Sequence, residues 1–161
     1  MLKQKFKGYS NVHGLSDPCT LKHLMYYGKD LLLRFDTFIQ YLGYSDFKNT
    51  EVYEGDVLEL KITDELMNHK ENMFFNSNIG KYIEEQGNIT SIILLNKYAK
   101  QCMSLDYELY FCRDGKIERE EDGSLSYHTI GDDKMFPQYL CCKGAVIIGN
   151  IVVDKDILER M

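Results

Sequence analysis

Residues 38–61 read FIQYLGYSDFKNTEVYEGDVLELK, and this stretch decides the fold. A polar turn at residues 44–50 separates two apolar strands. Beyond it, Tyr53-Glu54-Gly55-Asp56 makes a tight bend. Gly55 adopts positive φ without a Cβ clash, and the Asp56 carboxylate accepts from backbone N–H groups of the same bend. The residues that follow alternate. Leu58, Leu60 and Ile62 point to one face, while Glu59, Lys61 and Thr63 point to the other. That is a half-buried strand entering a small, partly open β-barrel.

The pattern Gln40-Tyr41-x-Gly43, a polar turn, then Tyr53-Glu54-Gly55-Asp56-Val57 resembles the YopX family of phage and prophage proteins. Members of that family run roughly QYTGLKDKNGKEIYEGDIV here. Near the C-terminus, Val146-Ile147-Ile148-Gly149-Asn150-Ile151 resembles the family ending VIGNIYENPELL, and the acidic-apolar residues 154–158 fit it too. Leu42 stands for the family's Thr, Tyr44-Ser45-Asp46 for its Leu-Lys-Asp, and Tyr9 where Trp is usual. The tail proline is replaced by Lys155 or Asp156, depending on register. The resemblance implies a mainly β fold and a phage-related origin. It implies no catalytic residue, cofactor or metal, so Gln40, Tyr41, Gly43, Tyr53, Glu54, Gly55, Asp56, Ile148, Gly149 and Asn150 are read as a structural motif. The stretch between the two motifs is long for the family. Residues 66–104 are therefore read as an insertion or elaboration within one domain spanning 1–161.

Composition agrees with a single globular domain. Its 161 residues are enough to bury a core, and 44% hydrophobic with 27% charged residues is ordinary for such a chain. Twelve Tyr and eight Phe suit strands better than helices. The net charge is −6, without a basic run, whereas a protein that neutralises phosphates needs clustered Lys or Arg. Nucleic acid is thus a poor default partner, and Lys3, Lys5 and Lys7 on an alternating first strand read as a solvated outer face. Five cysteines without metal-type spacing point to a reducing compartment. No apolar run approaches the ~20 residues of a membrane span, and no leader-like apolar segment opens the chain. A cytoplasmic protein is expected.

Along the chain, residues 3–9 read as a strand and 10–20 as a loop. Residues 21–27 read as a short helical turn or a strand, and after Gly28 residues 31–35 resume an apolar strand. Residues 64–78 are polar and read as an exposed loop or an insertion. Ile79, Tyr82 and Ile83 fall at helical spacing, and Gly87 ends a short helix over 78–86. Residues 89–95 are an Ile-rich buried strand. Asp114-Gly115 and Asp122-Gly123 divide 105–130 into a three-stranded meander. Its middle strand, residues 116–121, is nearly all charged and is expected to project from the body. Residues 138–153 hold the last strands, with a bend or bulge at Gly149-Asn150 and a helical turn near the end.

Several side chains suggest chemistry and have simpler accounts. Cys102, Cys112, Cys141, Cys142 and the four histidines lack the paired two-to-four-residue spacing of a structural zinc site. They read as core or surface cysteines, with Cys141 and Cys142 on opposite faces of a strand. Cys112 and His128 share the meander, but chance proximity explains such a pair. Glu54 and Asp56 offer too few oxygens for calcium. Glu54 reads as solvated and Asp56 as the turn fastener. Tyr26, Tyr27, Tyr107, Tyr110 and Phe111 could stack bases, but without a cationic groove sheet packing explains them better. The expected function is therefore non-enzymatic, through protein contacts with a second copy or with a phage or host protein. The alternative is a nucleic-acid-associated small barrel using the aromatic surface. Exposed rings on a projecting meander would favour a homo-oligomer whose contacts include it.

Overall fold

Basic-aromatic alternation at the start of the chain builds β1 (Lys5–Ser10). Two short strands, β2 (Gly14–Leu15) and β3 (Cys19–Thr20), fold back onto it within the stretch expected as loop. Helix α1 (Leu21–Arg34), β4 (Thr37–Ser45) and β5 (Glu51–Tyr53) follow, and the first sheet runs β2-β1-β4-β5 with β3 also on β1. The second sheet is built from β6 (Asp56–Lys61), β7 (Ser91–Tyr98), β8 (Leu105–Arg113), β9 (Lys116–Ile117), β10 (His128–Ile130) and β11 (Val146–Asn150). Its order is β10-β8-β7-β6-β11, with β9 also on β8. Helices α2 (Asp64–Asn68), α3 (Asn78–Gln86) and α4 (Met135–Cys142) lie in the connections. This is a computed structural model, and it describes residues 4–68, 78–98, 105–130 and 135–161. The fold is mainly β, two curled half-barrel sheets with few helices.

The alternation of β6 sorts the core. Leu58 and Leu60 join Ile92, Leu94, Leu109 and Phe111 in the larger cluster, which Ile83 of α3 and Leu140 of α4 cover. Val57 points the other way, to Ile93, Leu95, Tyr110, Cys112 and Leu158. The run Ile92-Ile93-Leu94-Leu95 is thus buried on both faces, which is why it does not alternate. Each such side chain contributes about 1.5–3 kcal/mol when fully buried. β7 lies inside the segment read as insertion or elaboration, and it is the central strand of the second sheet. Residues 69–77 and 99–104 of that segment lie outside the described residues.

Four local expectations are corrected. Residues 21–34 form one 14-residue helix, not a turn followed by a strand. A capping box starts it: Thr20 Oγ1 accepts from the His23 N–H, and the Thr20 N–H donates to His23 Nδ1. The run Leu31-Leu32-Leu33 has no period of its own, and a single glycine, here Gly28, costs a helix only about 1 kcal/mol. Residues 138–142 belong to α4, where Pro137 sits in the first turn and its missing N–H is not needed. Cys141 is buried and Cys142 exposed on that helix. The meander is also rearranged. β9 and β10 both pair with β8, at Cys112–Ile117 and at His128–Leu109, and only the bridge Arg119–Leu125 links the two outer segments. Instead of projecting, this unit is held down: Ile117 is buried, its N–H donates to the Met161 carbonyl, and Tyr107, Leu109 and Phe111 lie in the core. Lastly, the register does slip between Ile147 and Gly149, but the backbone there is ordinary. A Cβ at Gly149 would lie 2.1 Å from Ile157 Cδ1, so a larger residue would make the end of that side chain move.

The helix over 78–86 and its end at Gly87 are as expected, with the Gly87 N–H bonded to the Ile83 carbonyl. Asp114 and Gly115 both take positive φ, at 51° and 78°, as a tight hairpin requires. At the second turn only Gly123 does, and the Asp122 carboxylate accepts from the Ser124 N–H. Among the described residues no helix is long and apolar enough to cross a membrane.

Candidate functional site

β5 belongs to the first sheet and β6 to the second, so Glu54 and Gly55 form the corner where the chain crosses between them. Asp56 is buried, and its Oδ2 accepts from the Tyr53 N–H at 2.6 Å. Gly55 takes φ 78°, as the bend requires. Asn150 at the end of β11 completes the corner. Its Nδ2 donates to the Glu54 carbonyl at 2.9 Å and to Asp56 Oδ1 at 2.8 Å, and its Oδ1 accepts from the Val152 N–H. Ile151 N–H donates to the Gly55 carbonyl. The two motifs read separately in sequence are therefore one hydrogen-bonded unit.

Asn96 of β7 was not anticipated. It is fully buried; its Nδ2 donates to the Asp56 carbonyl at 3.1 Å and its Oδ1 accepts from the Tyr44 hydroxyl at 2.8 Å. Its backbone carbonyl accepts from the Gly55 N–H. The one available signal was an amide ending the apolar run over 92–95. Glu54, expected to be solvated, is half-buried, and its Oε2 accepts from the Gln40 N–H at 2.8 Å. The Gln40 carbonyl accepts from the Glu54 N–H in return. Gly43 sits where β4 bulges, between the Tyr41–Tyr53 and Ser45–Glu51 pairs. Ile148 packs against the smaller cluster.

The outer face of the first sheet is not simply solvated. Lys5 pairs with Glu51 and lies over the Tyr41 ring, and Lys7 Nζ sits 4.4 Å above the ring of Tyr53. Lys3 lies outside the described residues. Burial pushes the Asp56 carboxyl above its usual range, opposed by the Tyr53 N–H, the Asn150 amide and Lys7. Burial likewise raises the hydroxyl of Tyr44.

Beside the corner, a groove of about 520 Å³ opens between the sheets, walled by Phe6, Phe38, Ile39, Ile151 and Val152, with Gln40 and Glu54 at its edge. Thr37 also lines it, and the Glu54 carboxylate there is engaged by the Gln40 N–H. Cys112 of β8 and His128 of β10 lie on opposite faces of the second sheet: His128 packs edge-on to Phe111 and Tyr82, while Cys112 belongs to the smaller cluster. Among the described residues no three His, Cys, Asp or Glu side chains converge as metal ligands. Tyr107, Tyr110 and Phe111 are sheet-packed as expected, but Tyr26 and Tyr27 stand exposed on α1.

Thiol reactivity follows from burial. Burial pushes Cys141 up to about 12 and raises Cys112 and Cys19 as well, whereas Cys142 is exposed. In native protein a thiol reagent is expected to label Cys142 well before Cys141 or Cys112, which should react only on unfolding. Peptide mass mapping after timed labelling checks this. Equal rates at Cys141 and Cys142 would contradict it.

The sequence model of the family described as YopX protein matches residues 4–109. That span takes in both strands of the corner and Asn96, and it ends before β11. No curated protein matches the chain, and no solved structure does. With about two-thirds of its length matched, the corner motif included, the chain belongs to the YopX family.

Proposed function

We propose that this is a non-enzymatic protein of phage or prophage type that acts in the bacterial cytoplasm through protein contacts, self-association among them. One observation carries the reading. The family motif spends its polar groups inside the corner, while apolar side chains that a lone globule would cover stand in solvent on α1. The meander gives less support than its sequence suggested, because its rings are buried. The alternative, single-stranded nucleic acid, draws only on Tyr26 and Tyr27 near Lys22 and Lys29.

A photo-crosslinker placed at Met25 in cells separates the two. Adducts with protein, whether this chain or another, are the expected result. Adducts with nucleic acid, or none at all, overturn the reading.

A further inference from the structure

Helix α1 touches the body with one face only. Leu24, Gly28 and Leu31 turn inward, toward β1 and β3. On the opposite arc Met25 is 79%, Tyr26 75% and Leu33 86% exposed. Lys22 and Lys29 lie within this arc and Arg34 to one side of it, against the single carboxylate of Asp30, in a chain whose net charge is −6. A helix face that mixes exposed apolar and cationic side chains is complemented by one that mixes apolar and acidic ones.

The β9–β10 segment carries an acidic surface around one exposed ring. The β11 edge of the second sheet is tied to the first sheet: the Phe47 N–H donates to the Ala145 carbonyl and Asp46 Oδ2 accepts from the Ile147 N–H. The opposite edge of that sheet is formed by β9 and β10. Tyr127 is 52% exposed there, against Tyr110, and Glu120, Glu121 and Asp122 are exposed beside it. Arg113 and Arg119 do not neutralise those three, being paired with Glu118 and Glu159. Lys116 is the exposed cation nearby. An open strand edge is commonly covered by a helix.

We propose that α1 of one copy covers the β9–β10 edge of the next, so that copies associate head to tail. The inference rests on the protein-contact reading above and names its occupant, a second copy. A symmetric α1–α1 contact is disfavoured because it sets Lys22 and Lys29 against the same cations. A contact between two unlike faces generates a ring or an open chain of subunits.

Light scattering on the full chain tests it. At about 50 µM and low salt the wild type is expected to exceed one 18.8 kDa chain, and the affinity to weaken on the order of tenfold in about 0.5 M salt. Met25→Glu with Leu33→Gln blocks α1, and Glu120→Lys with Glu121→Lys blocks the edge. Both pairs change exposed side chains, and circular dichroism verifies folding. Each variant alone should be monomeric. Mixed, they should form a dimer and nothing larger, because one intact face of each kind remains. An edge-blocked variant that still self-associates, or a mixture that stays monomeric, overturns the inference. So does a monomeric wild type, including one that binds anionic vesicles through α1. Protein adducts at Met25 would in those cases still leave the broader reading standing.

Discussion

Asn150→Ala is expected to lower the unfolding free energy by about 3–5 kcal/mol at neutral pH. The substitution strips two acceptors and one donor of their partner at once: the Glu54 carbonyl and Asp56 Oδ1 lose the amide, and the Val152 N–H loses its acceptor. Asn150 and Asp56 are both buried, so water does not readily replace the bond between them. Most of the cost falls on Asp56, which keeps the Tyr53 N–H and loses its other side-chain donor. That also fixes the sign of the pH dependence. The wild-type Asp56 pKa is already raised by burial, and losing the Asn150 donor raises it further. A raised folded pKa adds stability below the unfolded value that is lost as pH rises through the folded one. The variant's deficit should therefore shrink as pH falls from about 7 to about 4. Urea unfolding at both ends measures it. A deficit below about 1 kcal/mol, or one that grows on acidification, would show that Asn150 does not hold the corner.

Gly55→Val should cost about 2–4 kcal/mol, from two sources that a second glycine can separate. At φ 78° a branched residue is strained, which accounts for about 1–2 kcal/mol. A Cβ would also meet Asn150 Oδ1 at 3.0 Å and Val152 Cγ2 at 3.2 Å, and Asn150 cannot yield without breaking the bonds above. Gly123 has a similar φ of 84° with no atom within 4 Å of its Cβ position. Gly123→Val therefore carries the strain alone. Thermal melts of the two variants should differ by the close-approach part, with Gly55→Val the lower. Equal melting would mean the corner has room that these distances deny it.

Residues that report a local conformation were legible in the chain. Gly55 with Asp56, Asp114 with Gly115, the helical spacing before Gly87 and the alternation of β6 each state a preference that neighbours along the chain can satisfy. The helix α1 was less legible, since Leu31-Leu32-Leu33 suits either a strand or a helix and Thr20 caps only if His23 turns back. Asn96 gave almost no signal, because an amide ending a strand looks solvated until the partner strand covers it.

A mainly β architecture and the positive-φ bend at Gly55 could be read from the chain because they depend on periodicity and backbone preference. The family followed from the likeness of the Gln40-Tyr41-x-Gly43 and Tyr53-Glu54-Gly55-Asp56 motif. Tertiary structure alone decided that Asn150 and Asp56, 94 residues apart, share a hydrogen bond. It also decided that the charged segment after β8 lies down instead of projecting, and that the uncovered apolar face is on α1. Those outcomes turn on which surfaces meet, and a strand or helix carries no local mark of the neighbour that will bury it.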